Sequence, residues 1–259
     1  MLVDSHCHLD RLDLAPWDGQ LKPVLDEARE QGVEHFLCVS VTLEEYPAML
    51  ALVEGINDIS VSVGVHPNHY DEQPPTIEEL LELAQHQQVV AIGETGLDYF
   101  RGGAEHKEIQ QAFLCTHIAA AKQSQKPLII HTREAREDTI AVLREESADQ
   151  AGGVLHCFTE DWAMAKKGLD LGFYISLSGI VTFNSAKELQ ETAKKIPADR
   201  LLIETDSPWL APVPKRGKAN YPAYVAHTAA FIAQLRGVSV EELGEQTTEN
   251  FYQLFFKSA

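Results

Sequence analysis

Basic residues are scarce in this chain. Lysine and arginine total 21 against 39 aspartates and glutamates, for a formal net charge of −18. A surface of that sign repels duplex DNA, where binding depends on neutralising phosphates. A nucleic-acid substrate would therefore need a locally positive site. Cysteine is scarce as well: Cys7, Cys38, Cys115 and Cys157 stand far apart with no CxxC pair. That argues against a disulfide framework or a zinc–thiolate site and suits a reducing compartment. No window approaches 18 apolar residues, so no membrane-spanning helix and no membrane partner are expected. Met1-Leu2-Val3-Asp4-Ser5-His6 has neither a basic nor an apolar leader character, and the expectation is a cytoplasmic protein. Internal repeats, low-complexity tracts and linkers are absent, which predicts one domain over 1–259. No obligate protein partner is evident.

What is present alternates. Short β-branched runs fall at Leu2–Leu9, His35–Val41, Ile59–Val65, Val89–Gly93, Pro127–His131, Gly153–Cys157, Phe173–Ser178 and Arg200–Thr205. Between them lie segments of helical periodicity, such as Leu21–Gln31 (Leu21, Val24, Leu25, Ala28) and His106–Gln123 (Ile109, Phe113, Ile118, Ala121). Strands joined by helices pair in parallel, because each helix is the crossover. Eight such units in 259 residues fit a closed α/β fold, the (β/α)8 TIM barrel. The rival, an open doubly wound sheet, favours a glycine-rich turn after the first strand. Here that position reads His6-Cys7-His8-Leu9-Asp10. Pro208–Pro222 reads as a long loop after the eighth strand.

The strand ends carry the chemistry. They read Asp4-Ser5-His6-Cys7-His8, Gly64-Val65-His66-Pro67, Gly93-Glu94-Thr95-Gly96-Leu97-Asp98, His131-Thr132-Arg133, His156-Cys157-Phe158 and Glu204-Thr205-Asp206-Ser207-Pro208. In barrel enzymes the active site lies at that face. His6 and His8 are two apart, which on a strand puts both imidazoles on one face. A lone HxH pair is weak evidence of a metal. The reading strengthens when His131, His156, Glu94 and Asp206 are added, since each follows an apolar strand at the same barrel end. Four imidazoles and two carboxylates can hold two divalent metal ions, with one carboxylate bridging. Glu94 is the natural bridge, because no lysine stands at the corresponding strand ends to be carbamylated. Imidazole-rich ligation suits Zn or Mn better than Mg.

These stretches together resemble the TatD family of metal-dependent hydrolases and deoxyribonucleases, within the wider amidohydrolase-like barrels. The match spans the whole chain and includes Leu202-Ile203-Glu204-Thr205-Asp206-Ser207-Pro208 and Pro127-Leu128-Ile129-Ile130-His131-Thr132-Arg133-Glu134-Ala135. The resemblance implies one metal held by His6, His8, Glu94 and Asp206, and a second held by Glu94, His131 and His156. It also implies exonuclease-type DNase activity, whereas the residues alone imply only metal-dependent hydrolysis. The loop Arg216-Gly217-Lys218-Ala219-Asn220-Tyr221-Pro222 is similar to the family's RGxxNxP pattern but has Tyr221 where Glu or Gln is usual.

The remaining residues carry alternatives. His66 can meet a substrate phosphate or only bond Glu94. Arg133 shares the inward parity of His131 and is a candidate phosphate contact; the alternative is a salt bridge to Glu204. Glu204, one layer below Asp206, is expected to support a histidine ligand. Asp98 is a loop cap or a site residue. Cys7 and Cys157 should face the helix layer by alternation. Tyr99, Phe100, Phe158 and Trp209 can stack on bases or cover the core. Lys215, Arg216 and Lys218 form the densest basic cluster, and Arg216 is taken as a substrate contact. The expected reaction is hydrolysis of a phosphodiester, most naturally a single-stranded DNA 3′ end, by a metal-activated water. Asp206 is expected to act as general base and Glu94 as bridging catalytic carboxylate. The alternative substrate is a small-molecule or aminoacyl ester or amide.

Overall fold

The structure is a computed structural model and describes residues 1–69, 74–101 and 104–256. Eight strands form one sheet in sequence order: β1 (Leu2–Cys7), β2 (Val33–Cys38), β3 (Ile59–Val63), β4 (Val89–Asp98), β5 (Leu128–Arg133), β6 (Gly153–Leu155), β7 (Tyr174–Leu177) and β8 (Leu201–Ile203). Every neighbouring pair from β1–β2 to β7–β8 is parallel. The helices are α1 (Leu21–Glu30), α2 (Tyr46–Val53), α3 (Ile77–Leu83), α4 (Lys107–Ser124), α5 (Arg136–Glu145), α6 (Trp162–Asp170), α7 (Lys187–Lys195), α8 (Val225–Arg236) and α9 (Val240–Phe255). This is the (β/α)8 barrel that the alternation predicts. The amphipathic helices bury their periodic residues against the sheet, as α1 does with Leu21, Val24, Leu25 and Ala28.

The ring closes where the first and last strands meet. Asp206 N–H donates to the His6 carbonyl at 2.9 Å, and His8 N–H to the Ser207 carbonyl at 2.9 Å. Below these, Ser5 Oγ donates to the Ile203 carbonyl at 2.9 Å and Thr205 Oγ1 to Asp4 Oδ2 at 2.6 Å. Side chains thus extend a seam whose backbone pairing is confined to a short stretch around Cys7 and Ser207. The α9 helix packs on both strands of the seam, and a core cluster joins Val3 and Leu202 with its Phe251, Leu254 and Phe255.

Four elements depart from the sequence reading. The α2 helix carries no amphipathic signature, because its residues Tyr-Pro-Ala-Met-Leu-Ala-Leu-Val include no polar face. The β4 strand continues past Gly93 to Asp98, so Glu94 stands inside a strand and not at its end. Its register against β5 slips between Ile92 and Thr95, and such a bulge re-aims a side chain. The β6 and β8 strands are shorter than predicted and stop before His156 and Asp206. Backbone contact is close here: a Cβ on Gly96 would come within 2.0 Å of the His131 carbonyl oxygen, and one on Gly64 within 2.6 Å of Gly93. The glycines let β4 settle between its neighbours with Glu94 aimed inward.

Candidate metal centre

The six ligand-type residues converge at the C-terminal ends of the strands. His6 Nε2 and His8 Nε2 are 3.2 Å apart. His6 Nε2 is 3.4 Å from Glu94 Oε2, and His8 Nε2 is 3.5 Å from Asp206 Oδ1. His156 Nε2 lies 2.7 Å, His131 Nδ1 3.0 Å and His66 Nε2 3.4 Å from Glu94 Oε1. Glu94 is therefore central, with His6 and His8 on one oxygen and three further imidazoles on the other. Three triplets bring donor atoms within 4.8 Å of one another: His6, His8 and Asp206; His6, Glu94 and His156; His66, Glu94 and His131. The last triplet adds His66, which the sequence reading keeps outside the ligand set.

The donor chemistry fits a divalent cation. His8 Nδ1 sits 3.0 Å from the Val39 carbonyl, which fixes the proton there and leaves a lone pair on Nε2. The 3.2 Å between the His6 and His8 nitrogens compares with the roughly 3.0–3.4 Å spanned by two nitrogens each about 2.1 Å from one ion. His6 Nδ1 is buried without a hydrogen-bond partner, so its polar contacts all lie on the Nε2 side. Burial alone would raise the Glu94 carboxyl, but the charge of His156 and the hydrogen bonds from His131 and His156 outweigh it and hold Glu94 well below the usual carboxylate range. Asp206 is likewise held down, against burial, by the His8 hydrogen bond and the nearby histidines. His156 is raised well above an ordinary imidazole because Glu94 and Glu204 overcome its burial. A cation would displace such protons from the cluster.

Supporting groups orient these side chains. Glu204 Oε1 faces His156 Nδ1 at 3.3 Å and accepts the Cys157 N–H at 2.9 Å, which is the predicted support of a histidine by a carboxylate. Asp98 combines what the sequence leaves as alternatives, a loop cap and a place in the cluster. It accepts the Arg101 N–H at 2.9 Å and faces His131 Nε2 at 3.3 Å. Burial would raise the Asp98 carboxyl, yet the bonds from His131 and the Arg101 backbone keep it below the ordinary range. Asn68 joins the network without any sequence signal: its N–H donates to His66 Nδ1 at 3.1 Å and its Nδ2 to Asp98 at 3.2 Å. Asp4 lies beneath His6, fully buried, and burial pushes its carboxyl up to about 8.

Asp206 occupies a left-handed turn at φ +54°. Asn220 clamps that turn, donating from Nδ2 to the Thr205 carbonyl at 2.8 Å and the Trp209 carbonyl at 2.6 Å. Tyr221 points elsewhere, stacking edgewise on Trp17 and donating its hydroxyl to the Asp13 carbonyl at 3.2 Å.

A cavity of about 490 Å³ opens over the cluster. Arg133 lines it as predicted, with its guanidinium 3.9 Å from the Phe100 ring centroid and not paired with Glu204. Arg216 is different: it is exposed, lies 4.3 Å over the Phe183 ring and does not line the cavity. The cations that join Arg133 on the wall are Arg11 and Arg101. No motif marks them. Cys157 also lines the cavity, with Sγ 3.1 Å from Ser178 Oγ, because β6 has ended and a φ of +41° breaks the alternation that would have turned it outward. Cys7 is fully buried as expected.

Residues 3–256 match the family model described as TatD related DNase. The chain belongs to the TatD family. The metal-dependent hydrolase YcfH of Escherichia coli is 51% identical over 254 residues, covering 98% of this chain and 95% of that protein. The metal-dependent hydrolase YabD of Bacillus subtilis is 40% identical over 98% of this chain and 99% of its own length. Among solved structures, the TatD homologue YJJV of Escherichia coli K12 superposes with a TM-score of 0.90 at 28% identity, covering 99% and 98% of the two chains. As a TatD-family member the protein is a metal-dependent hydrolase. Among the described residues, no helix is long and apolar enough to cross a membrane.

Proposed function

We propose that this TatD-family hydrolase is a deoxyribonuclease that cleaves phosphodiester bonds at the end of single-stranded DNA, using two divalent ions. The observation that carries the reading is Glu94, which presents one oxygen to His6 and His8 and the other to His66, His131 and His156. A carboxylate shared in this way suits two cations, and a purely structural zinc site would close with four ligands of its own. His6, His8, Glu94 and Asp206 would hold one ion; Glu94, His131 and His156, with His66 beside them, would hold the other. Bound metal supplies Lewis acidity and lowers the pKa of water to about 7.

The chain's own residues supply the rest. Asp206 takes the proton of the attacking water at its carboxylate, which is ionised and faces the cavity. His66 remains neutral, because burial pushes its imidazole down to about 3, and it offers Nε2 beside Glu94 without repelling a cation. Arg133, Arg101 and Arg11 give the cavity wall positive charge within an acidic surface, and they would hold phosphate oxygens. A scissile bond that must enter the mouth of a barrel suits a strand end better than an intact duplex.

The test is hydrolysis by Zn- or Mn-loaded protein of single-stranded DNA, duplex DNA, RNA and p-nitrophenyl acetate, with metal content measured in parallel. The expected result is about two ions per chain and turnover of single-stranded DNA. Ester turnover with intact DNA would overturn the reading in favour of a carbonyl hydrolase.

A further inference from the structure

The two ends of the cavity differ in chemistry. At the end formed by His8 and Asp206 stands Trp209, 47% exposed, with its ring centroid 5.0 Å from that of His8 at an interplanar angle of 66°. At the end formed by His131 stand Arg133 and Arg101, whereas Arg11, next to His8, is already paired with Glu45 and Asp10. Cations cover the rings of Tyr99, Phe100, Trp162, Tyr174, Tyr224 and Phe183, but among the described residues none sits over Trp209. Its backbone is nevertheless held firmly: the N–H donates to the Asp206 carbonyl at 3.0 Å, and Asn220 donates to its carbonyl at 2.6 Å. A large aromatic left half in water, on a fixed turn, beside a phosphodiester site, is a ready surface for a flat ligand.

We propose that Trp209 is a stacking platform for the nucleobase next to the scissile phosphate, so that the mouth has a direction. One base rests on Trp209 above His8 and Asp206, and the phosphate backbone runs toward Arg133 and Arg101. This assignment rests on reading the site as a nuclease for single-stranded DNA. Its chemistry is sequence-tolerant, because every base offers a π-face.

The experiment compares thymidine 5′-monophosphate, thymidine 3′-monophosphate and deoxyribose 5-phosphate as ligands of metal-loaded protein, by calorimetry and tryptophan fluorescence. At least one thymidine phosphate should bind about fivefold or more tightly than the sugar phosphate, and should quench fluorescence. Trp209→Ala should bring all three within twofold and abolish the quench while Trp17 and Trp162 still emit. Trp209→Phe should keep the preference in calorimetry, which guards against a folding defect in the alanine variant. A preference that survives Trp209→Ala, or none in the wild type, overturns the assignment. Failure of the nuclease reading shows separately, as intact single-stranded DNA in the presence of wild-type protein.

Discussion

His117 Nε2 accepts the Val65 N–H at 3.0 Å, a contact from the middle of α4 to the residue just before His66. The β3–β4 ladder ends at Val63 and Ile92, so Val65 has no strand partner for its N–H. An imidazole from the helix layer takes the place of that carbonyl. Its Nδ1 sits 2.7 Å from the Phe113 carbonyl one turn earlier, which fixes the proton on Nδ1 and leaves Nε2 to accept. The ring is fully buried.

Removing this ring should loosen the end of β3. His117→Ala leaves a buried N–H unpaired and opens a cavity, at a combined cost of about 2–4 kcal/mol. Urea unfolding should show that loss as a lower midpoint. His117→Gln keeps an acceptor in reach and should recover at least half of it. Equal stability of wild type and alanine variant would show that Val65 needs no acceptor.

The same ring makes stability depend on pH. Burial pushes the His117 imidazole down to about 4 in the folded protein, against about 6.5 when unfolded. Below pH 6.5 the unfolded chain binds a proton that the folded chain refuses, so stability falls as pH falls. His117 contributes fully above pH 6.5, and the contribution drains away down to about pH 4, by on the order of 3 kcal/mol. His117→Gln should flatten the urea midpoint across pH 4–6.5 relative to wild type. An unchanged slope would assign the acid sensitivity to other groups.

Asp206→Asn should abolish turnover in a folded barrel. The side chain is nearly isosteric, but the amide is a poor base and a poor metal ligand. Loss of the base alone costs about 10²–10⁴ in rate. Circular dichroism, metal content and hydrolysis rate together make the test. More than a tenth of wild-type activity with full metal content would make Asp206 a spectator.

Asn220→Ala should act at a distance through the turn it clamps. The Thr205 and Trp209 carbonyls lose their donor, and the left-handed backbone at Asp206 loses its outer support. We expect kcat to fall at least tenfold and bound metal to drop below the wild-type level, with an unfolding cost of about 1–3 kcal/mol. Full metal content and activity would show that the inner bonds from Asp4 hold the turn unaided.

Sequence alone makes the barrel legible because the strands are short apolar runs, and most of them lead into a ligand-type residue at the same barrel end. His6, His8, His131, His156 and Asp206 all follow that rule, and the structure gathers them. Glu94 obeys it only in appearance: the strand runs on through it, and a register slip beside two glycines turns it inward. Groups that act through space left no such trace. Asn68 and Arg101 sit in loops and Arg11 in a single 3-10 turn, none of them with periodicity, and His117 looks like any polar residue on a helix. Arg216 belongs to a visible motif, but in the structure that motif also serves the turn through Asn220, and the Arg216 side chain lies on Phe183. Strand parity does not reach Cys157, because β6 ends at Leu155.

The seam between β1 and β8 also sets an order of events in the making of the protein. Asp4 and Thr205 are 201 residues apart, and the histidines of the first strand reach Asp206 only across that junction. A chain emerging from its N-terminus displays His6 and His8 early, with neither the aspartate that completes their cluster nor the α9 helix that backs it. Ring closure and assembly of this donor set are therefore one event. A cation retained at His6, His8 and Asp206 certifies that the barrel was finished.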